Sequence, residues 1–455
     1  MKQSYNDRGL TAKRSCRLLA VGLTALCAVS APALFAQDFA RMGERSIMGT
    51  ARYVGMGGAM TAIGADPSAA QDNPAGLGLY RRFEALLTLG GAFDRTLQSG
   101  QAVSCQTNRF EMPQASAVFS FPTYAGSGVQ FHNFLVSYRR LHSYSRLIKA
   151  YGTDDPSLGA LMDSYPINIG MAYAIDPLNR NNQMTLTESG YVDEYAFDYA
   201  MNINDQWYVG LGMQIQSYLL SSKGDYYEQF ARLSADGKYF DNENETDLIL
   251  SGAGCTFSAG LIYRPLSWLR LGAGIQTPSL GGLRTSSYGK FSSQTDTLLY
   301  SDIDDSFYDN TFHMPLHLST SVAFQVGGYG LLSLQYDYRH GKAQADVHSL
   351  RTGIEIIPVM GLYINAGYAF ESTFKPNQPA LLDSSFVRQD TYTLLPRWSQ
   401  YASAAIGYRG KHFIGQVAYQ YRWQRVDLFA HEAAEPYDIL TNTHRIVVTI
   451  GWHSD

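Results

Sequence analysis

Apolar and polar residues alternate with a period of two in many short segments of this chain, which is the pattern of a β-strand with two unlike faces. The clearest case begins at Trp207, where the apolar face carries Trp207, Val209, Leu211, Met213 and Ile215. The last such segment places Ile446, Val448, Ile450 and Trp452 on the face opposite Arg445, Thr449, Gly451 and His453. These segments therefore predict strands that each have one apolar and one polar side.

The pattern predicts fourteen strands, at residues 82–94, 112–121, 130–140, 193–203, 206–218, 249–264, 268–277, 313–326, 330–340, 348–357, 361–370, 400–409, 412–424 and 443–453. Short connections rich in Gly, Pro, Asn and Asp, which are typical of tight turns, alternate with longer ones. We expect the longer connections at residues 95–111, 141–192, 219–248, 278–312, 341–347, 371–399 and 425–442.

This alternation of connection lengths is typical of outer-membrane barrels, which have short periplasmic turns and long outer loops. After residue 36 there is no apolar run near the roughly 18 to 20 residues that a membrane-spanning helix needs. The composition of 42 Gly, 32 Tyr and only 16% charged residues suits short strands with aromatic belts. We therefore predict an all-β fold, a 14-stranded antiparallel transmembrane β-barrel, with both chain ends in the periplasm.

Residues 1–36 have the features of a secretory signal peptide, with five basic residues, an apolar stretch from Leu18 to Val29, and Ala36 before the expected cleavage site. Leu26 is too large for the residue before a lipoprotein cysteine, which argues against lipid attachment at Cys27. Removal of this segment takes five basic residues and one acidic residue from the totals of 35 and 40, so the net charge becomes −9. This charge argues against a nucleic-acid partner.

Two cysteines, Cys105 and Cys255, remain after the signal peptide. They are too few for a disulfide-framed scaffold in an exported protein. A single bridge and two unpaired thiols both remain open.

Polarity assigns the two faces of the strands, because an unpaired Lys or Arg at the bilayer midplane costs roughly 2 to 4 kcal/mol. We expect the interior to be lined by Gln214, Gln216, Arg270, Asp337, Arg339, Arg351, Glu355, Gln416, Gln420, Arg422 and Arg445. These residues either hydrogen-bond to a segment inside the barrel or line a passage. Interfacial belts are expected at Tyr336, Tyr338, Tyr368, Tyr419, Tyr421, Trp423 and Trp452.

Residues 37–80 have no strand pattern and are rich in Gly and Ala, so they can fold inside the lumen as a plug, leaving residues 81–455 as the barrel. The run Ala51-Arg52-Tyr53-Val54-Gly55-Met56-Gly57-Gly58-Ala59-Met60-Thr61-Ala62, followed by Asp66-Pro67-Ser68-Ala69 and Asn73-Pro74-Ala75-Gly76-Leu77, resembles the hatch of the FadL/TodX family. That family consists of outer-membrane transporters for long-chain fatty acids and other hydrophobic compounds.

The resemblance implies a barrel of fourteen strands and a lumen closed by an N-terminal hatch. The implied gating residues are Gly55, Gly57, Gly58, Asn73, Pro74, Ala75 and Gly76. It also implies that a hydrophobic substrate leaves through a lateral opening linked to a kink in the third strand. Here that strand, at 130–140, contains no Gly or Pro that would force a kink, so the sequence itself does not predict the opening.

The sequence contains no recognisable catalytic, cofactor or metal motif. Gly55-Met56-Gly57-Gly58 lacks the preceding strand and the Lys of a phosphate-binding loop, and there is no Gly-x-Ser-x-Gly or His-Glu-x-x-His. In a strand, His313 and His317 would lie roughly 13 Å apart, too far to share an ion. Two acidic clusters read as solvated loops rather than cation sites, namely Asp302, Asp304, Asp305 and Asp309, and Asp241, Glu243, Glu245 and Asp247.

We therefore expect a non-enzymatic outer-membrane transporter for passive uptake of hydrophobic compounds such as long-chain fatty acids. Its partners would be the substrate and the surrounding membrane lipid and lipopolysaccharide. The alternative is a FadL-like accessory barrel in protein secretion or surface attachment, whose outer loops at 141–192 and 219–248 would dock a protein. A general aqueous porin is a third hypothesis, which a plugged lumen disfavours.

Overall fold

The computed structural model describes residues 43–123, 128–152, 175–232, 239–294, 299–340, 346–373, 392–430 and 436–454. The signal peptide expected at residues 1–36 lies outside the described residues. Within them, an N-terminal segment contains helix α1 (Ala51–Gly55) and two 3-10 helices (Pro67–Gln71 and Pro74–Leu79). None of the helices found there is long and apolar enough to cross a membrane.

Most of the rest of the described chain is strand. The strands are β1 (Glu84–Gln98), β2 (Ser104–Pro122), β3 (Val129–Gly152), β4 (Ile175–Ile203), β5 (Trp207–Arg232), β6 (Tyr239–Leu266), β7 (Leu269–Gln276), β8 (Leu280–Gln294), β9 (Leu299–Phe312), β10 (Leu316–Val326), β11 (Gly330–His340), β12 (Val347–Val359), β13 (Leu362–Thr373), β14 (Thr393–Arg409), β15 (Phe413–Phe429) and β16 (Tyr437–His453).

All these strands form one antiparallel sheet, and pairing of β5 with β6 closes it into a ring. β7 and β8 pair with successive parts of β6, so they are two halves of one barrel strand, interrupted at residues 277–279. β9 and β10 likewise pair with β8 and β7 and form one barrel strand, interrupted at residues 313–315. The prediction of a 14-stranded antiparallel barrel is confirmed.

Both ends of the barrel sequence lie at the same rim, where Glu84 of β1 is paired with His453 of β16. The short connections, including residues 204–206, 327–329 and 410–412, lie at this rim as well. Since short turns mark the periplasmic side of outer-membrane barrels, we assign this rim to the periplasm and call the opposite direction outward along the axis.

The strands extend far beyond the predicted ends on the outer side. β5 runs to Arg232 and β6 begins at Tyr239, so much of the loop predicted at 219–248 is strand. For the same reason, much of the loops predicted at 95–111 and 278–312, and residues 141–152 and 175–192 of the loop predicted at 141–192, are also strand. Residues 153–174 of that loop lie outside the described residues. The acidic residues at 241–247 and 302–309 lie in strands β6 and β9. Above the membrane a strand needs no apolar face, so its sequence loses the alternation on which the prediction depended.

The surface of the barrel is apolar on the outside. Large side chains of the membrane-facing strands are about half exposed, among them Val136 (48%), Leu211 (59%), Ile364 (46%) and Ile446 (45%). A soluble protein does not leave such a continuous apolar band in water. The barrel is therefore of the outer-membrane type, with lipid around it.

The two cysteines of the barrel do not pair. Cys105 of β2 and Cys255 of β6 are both free and only partly buried. Of the two possibilities left open by the sequence, the structure has the unpaired thiols.

Candidate functional site

The N-terminal segment at residues 43–80 lies within the ring, where inward side chains bind its backbone. The N–H of Ala51 donates to Thr449 Oγ1 of β16 at 2.8 Å, and the N–H of Thr61 donates to Gln335 Oε1 of β11 at 3.0 Å. On β10, Ser319 Oγ donates to the carbonyl of Asp72 at 2.8 Å. The polar lining of the barrel thus satisfies backbone groups that would otherwise be buried without partners.

Glycines allow this segment to approach the barrel wall closely. Gly57 and Gly58 have φ angles of +62° and +76°, in the left-handed region that favours glycine. A Cβ on Gly367 of β13 would lie 2.2 Å from the nitrogen of Gly57, and a Cβ on Gly55 would lie 2.3 Å from the Cβ of Ala405. Larger residues at these positions would push the segment away from β13 and β14.

The Asn73-Pro74-Ala75-Gly76 element forms the start of the second 3-10 helix. Asn73 Oδ1 accepts from the N–H of Ala75 at 3.0 Å, and Nδ2 donates to the carbonyls of Thr61 (2.9 Å) and Leu261 (3.2 Å). The side chain therefore caps the helix and also joins the N-terminal segment to β6.

We expect Asn73→Ala to destabilise the N-terminal segment by about 1 to 2 kcal/mol, because it removes a helix cap and two further hydrogen bonds. Faster amide hydrogen exchange at residues 60–80, with unchanged exchange in the strands, is the expected measurement. Asn108→Ala, at an exposed position of β2, is the matched control. Equal exchange in both variants would contradict this role of Asn73.

Ion pairs connect the N-terminal segment to the barrel wall. Arg351 of β12 places Nη1 3.3 Å from Asp72 Oδ2 and Nε 3.0 Å from Asp337 Oδ2 of β11. Tyr53 donates to Asp72 at 2.8 Å, and burial raises the pKa of Tyr53 well above its ordinary value, so it remains a hydroxyl donor. Arg351 thus holds one carboxylate of the segment and one of the wall.

A second pair joins the same two parts of the molecule. Arg52 of α1 binds Glu355 of β12 in a bidentate pair, with N–O distances of 2.7 and 2.9 Å. Bidentate guanidinium–carboxylate pairs are the stronger and more directional kind.

The buried groups Asp72, His317 and Asp337 lie within 4.8 Å of one another, a spacing that could hold a metal ion. The Arg351 guanidinium already supplies the positive charge between the two carboxylates, so we interpret the group as an ion-pair cluster. His313 is exposed and bonds the carbonyl of Ser279 at 2.7 Å, whereas the buried His317 belongs to the group with Asp72 and Asp337, so the two histidines have different partners.

The other lining residues expected from the sequence also make contacts inside the barrel. Gln214 donates to Asp198 at 2.9 Å, Gln216 donates to Glu194 at 2.7 Å, and Arg270 donates to the carbonyl of Ile63 at 3.0 Å. Arg339 pairs with Glu371, and Gln416, Gln420 and Arg445 are buried.

Sequence reasoning missed several charged lining residues of β3 and β4. Arg139 is 2% exposed and binds Glu194 at 2.7 Å, while its neighbour Arg140 points outward and binds Asp193 at 2.8 Å. With arginine at two successive positions, alternation gave no sign of which one faces the lumen.

Above the N-terminal segment, the inner wall changes from charged to apolar along β14, β15 and β16. Residues paired across these strands form layers, all of them buried. From the periplasmic side outward, the layers are Tyr401, Arg422 and Thr443; then Ser399, Gln424 and Thr441; then Val426 and Ile439; and then Leu394, Leu428 and Tyr437.

The outermost layer belongs to a hydrophobic core between two walls of the barrel. We call it the upper apolar cluster, and it consists of Ile148, Ala150, Met184, Leu186, Tyr226, Tyr392, Leu394, Val426, Leu428, Ala430, Tyr437 and Ile439. Its members come from β3, β4 and β5 on one side and mainly from β14, β15 and β16 on the other. The cluster therefore lies across the outer end of the lumen.

Arg422, below this cluster, differs from the other buried arginines of the lumen. It is 8% exposed, and among the described residues it has no carboxylate partner. Its contact is with the ring of Tyr401, 5.6 Å from the guanidinium carbon. Arg445, in the next layer toward the periplasm, instead binds Glu111 at 3.1 Å and Gln420 at 2.9 Å. Arg422 is thus a buried cation available to an anion.

The barrel wall has an opening between β2 and β3. Their ladder begins at Phe131 and Pro122 near the periplasmic rim and ends at Arg139 and Gln114. Beyond this point β2 pairs only with β1, and β3 pairs only with β4. The outer parts of the two strands therefore separate, within the part of the chain that the structure describes.

Bulges in both strands explain the separation. Met112 and Pro113 of β2 together oppose the single residue Leu89 of β1, and Pro113 has no N–H to donate to a neighbour. In β3, Leu141 is an extra residue, since Arg140 pairs with Asp193 and His142 with Val192. Both irregularities lie at the level where the ladder ends. The sequence did not predict the opening because the proline lies in the second strand rather than the third.

The first described residues of the N-terminal segment lie against this level of β3. The N–H of Ser46 donates to the carbonyl of the bulged Leu141 at 2.9 Å, and Ser46 Oγ lies 3.0 Å from His142 Nδ1. Glu44 approaches His142 Nε2 at 3.5 Å. The segment and the edge of the opening are therefore in direct contact.

Comparison with known proteins identifies the fold of this chain. No protein-family profile matches the chain, and no curated protein matches it. A FadL homologue from Pseudomonas aeruginosa aligns with 90% of this chain and 99% of its own, with a TM-score of 0.54 and 13% identity. The chain has the fold of the FadL and TodX channels.

Other structures with the FadL/TodX fold agree. The Pseudomonas putida toluene transporter TodX aligns with 90% of this chain and 98% of its own (TM-score 0.53, 14% identity). The Ralstonia pickettii toluene transporter TbuX aligns with 90% and 99% (TM-score 0.52, 14% identity). The resemblance seen in the sequence is thus confirmed for the fold.

Proposed function

We propose that this barrel is an outer-membrane transporter for passive uptake of hydrophobic compounds, and that its substrates include long-chain fatty acids. Two proteins of the same fold are toluene transporters. At this identity, the choice of substrate must be argued from the residues of this chain.

The observation that carries the proposal is the unpaired Arg422 below the upper apolar cluster. A hydrocarbon tail in the cluster gains about 0.8 kcal/mol for each buried methylene, so a long chain gains on the order of 10 kcal/mol. A carboxylate on Arg422 adds a charge-assisted hydrogen bond of about 1.5 to 3 kcal/mol. Along β15 the inward side chains change from apolar Val426 to cationic Arg422. This order suits an amphipathic acid whose tail points toward the outside and whose carboxylate points toward the periplasm.

The opening between β2 and β3 supplies the route out of the site in this proposal. Below Arg422 the lumen is filled by ion pairs such as Arg445–Glu111 and Arg139–Glu194, which no hydrocarbon tail can cross favourably. A gap in the wall lets the tail pass directly into lipid. We propose that residues 37–80 act as the hatch, and that Gly55, Gly57, Gly58, Asn73, Pro74, Ala75 and Gly76 hold its shape.

Uptake of radiolabelled oleic acid and toluene by cells with and without the protein tests this function. We expect both compounds to be taken up faster with the protein, and the acid to compete with other acids of similar length. Equal uptake by the two strains would require a different function.

The accessory-barrel hypothesis is the second candidate. β5, β6, β8 and β9 form a sheet that projects beyond the membrane, as a docking surface would require. A protein that co-purifies with the barrel in equal amounts would favour this alternative.

A further inference from the structure

β1 and β3 are joined by a side chain where strand pairing is missing. Gln98, the last residue of β1, donates from Nε2 to the carbonyl of Tyr151 at 2.7 Å and accepts the N–H of Tyr151 on Oε1 at 2.8 Å. The neighbour of β1 in the sheet is β2, not β3. The carboxamide of Gln98 therefore takes the place of a peptide group and bypasses β2.

This contact bounds the opening on its outer side. The last ladder pair of β2 and β3, Gln114 with Arg139, bounds it on the periplasmic side. Between Arg139 and Tyr151, β3 has no strand partner on this edge among the described residues. The length of the opening is thus set by one ladder at one end and by a single side chain at the other.

The Gln98 contact also touches the upper apolar cluster. Ile148 and Ala150 of the cluster come just before Tyr151 on β3, and Ile439 of the cluster is the register partner of Gln98 on β16. Gln98 is 9% exposed, so water does not readily replace its hydrogen bonds when they break. The contact holds the outer end of β3 against β1 beside the place where a tail would lie.

We propose that Gln98 determines the size of substrate that leaves through the opening, by fixing the outer end of β3 to β1. This inference rests on the proposed transport function. A ladder is held by many hydrogen bonds, whereas among the described residues two hydrogen bonds join the ends of β1 and β3. Removal of the Gln98 side chain therefore lengthens the opening.

The test compares uptake of palmitic acid with uptake of a fatty acid that carries a pyrene ring, in cells that produce equal amounts of each variant. For Gln98→Ala we expect the ratio of pyrenyl to palmitic acid uptake to rise about tenfold, the effect of losing two buried hydrogen bonds. Gln98→Glu should act in the same direction, because a carboxylate cannot donate to the carbonyl of Tyr151. Gln106→Ala, at an exposed position of β2, is the matched control and should keep the wild-type ratio.

A second variant covers the case in which the substitutions disturb folding. Gln98→Cys with Tyr151→Cys, in a Cys105→Ser background, should exclude the pyrenyl acid when oxidised and admit it when reduced. Amide exchange at Tyr151 reports independently on the contact and should be faster in Gln98→Ala.

The outcomes separate the two proposals. If wild-type protein takes up neither acid, the transport function fails, and the role of Gln98 fails with it. If wild-type protein takes up palmitic acid, and Gln98→Ala exchanges faster at Tyr151 with an unchanged uptake ratio, then Gln98 is only a structural contact and this inference alone is overturned.

Discussion

Replacement of Arg422 by Leu is expected to weaken uptake of long-chain fatty acids about 10- to 100-fold, because it removes a charge-assisted hydrogen bond of roughly 1.5 to 3 kcal/mol to the carboxylate. Leucine keeps part of the apolar stem of arginine but removes the charge and the guanidinium contact with the ring of Tyr401. Initial rates of oleic acid uptake at several concentrations give the change in apparent affinity.

The control uses a neutral substrate. Toluene has no carboxylate, so its uptake through Arg422→Leu should equal that of the wild type. Arg95→Leu, at an exposed position of β1, should leave both substrates unaffected. A similar loss of oleic acid and toluene uptake in Arg422→Leu would show that Arg422 supports the barrel rather than the carboxylate.

Replacement of Arg351 by Met is expected to release the N-terminal segment from the barrel wall. The change leaves the buried carboxylates of Asp72 and Asp337 without the guanidinium between them, and such a loss costs about 3 to 5 kcal/mol. That cost is larger than the stabilisation that most single contacts contribute. The N-terminal segment should therefore detach from the barrel wall for part of the time. Ion conductance in planar bilayers should therefore rise well above that of the wild type.

The matched control for this measurement is Arg95→Met, which removes the same charge from the outer surface of the barrel. A second variant, Asp72→Asn with Arg351→Met, removes one of the stranded charges and should recover part of the closed state. If Arg351→Met conducts no more than the wild type and unfolds at the same temperature, the ion pair does not hold the segment.

The site combines two environments that the barrel keeps apart. Ion pairs fill the lumen around the N-terminal segment, and the upper apolar cluster closes the outer end. Arg422 lies at the boundary between them, two layers below Val426 and three below Leu428. This boundary is what distinguishes an acid from a hydrocarbon in the proposed function.

The sequence by itself determined the barrel. Whether a residue faces lipid or lumen depends only on its place in the alternation, so Leu211 and Gln214 could be assigned without knowledge of their neighbours. The same local rule predicted fourteen strands but lost them beyond the membrane, where β5 and β6 continue without an apolar face.

Only the tertiary structure decided which lining residues form a site. Arg422 and Arg445 lie on neighbouring strands, and both alternate with apolar residues in the same way. Arg445 meets Glu111 of a strand more than three hundred residues earlier, whereas Arg422 meets no acid among the described residues. The opening likewise depends on two bulges, at Pro113 and Leu141, that coincide through the register of separate strands. The ion-pair partners of these arginines, and the common level of the two bulges, follow from pairing between strands that are far apart in the sequence. A local pattern of residues carries no information about that pairing.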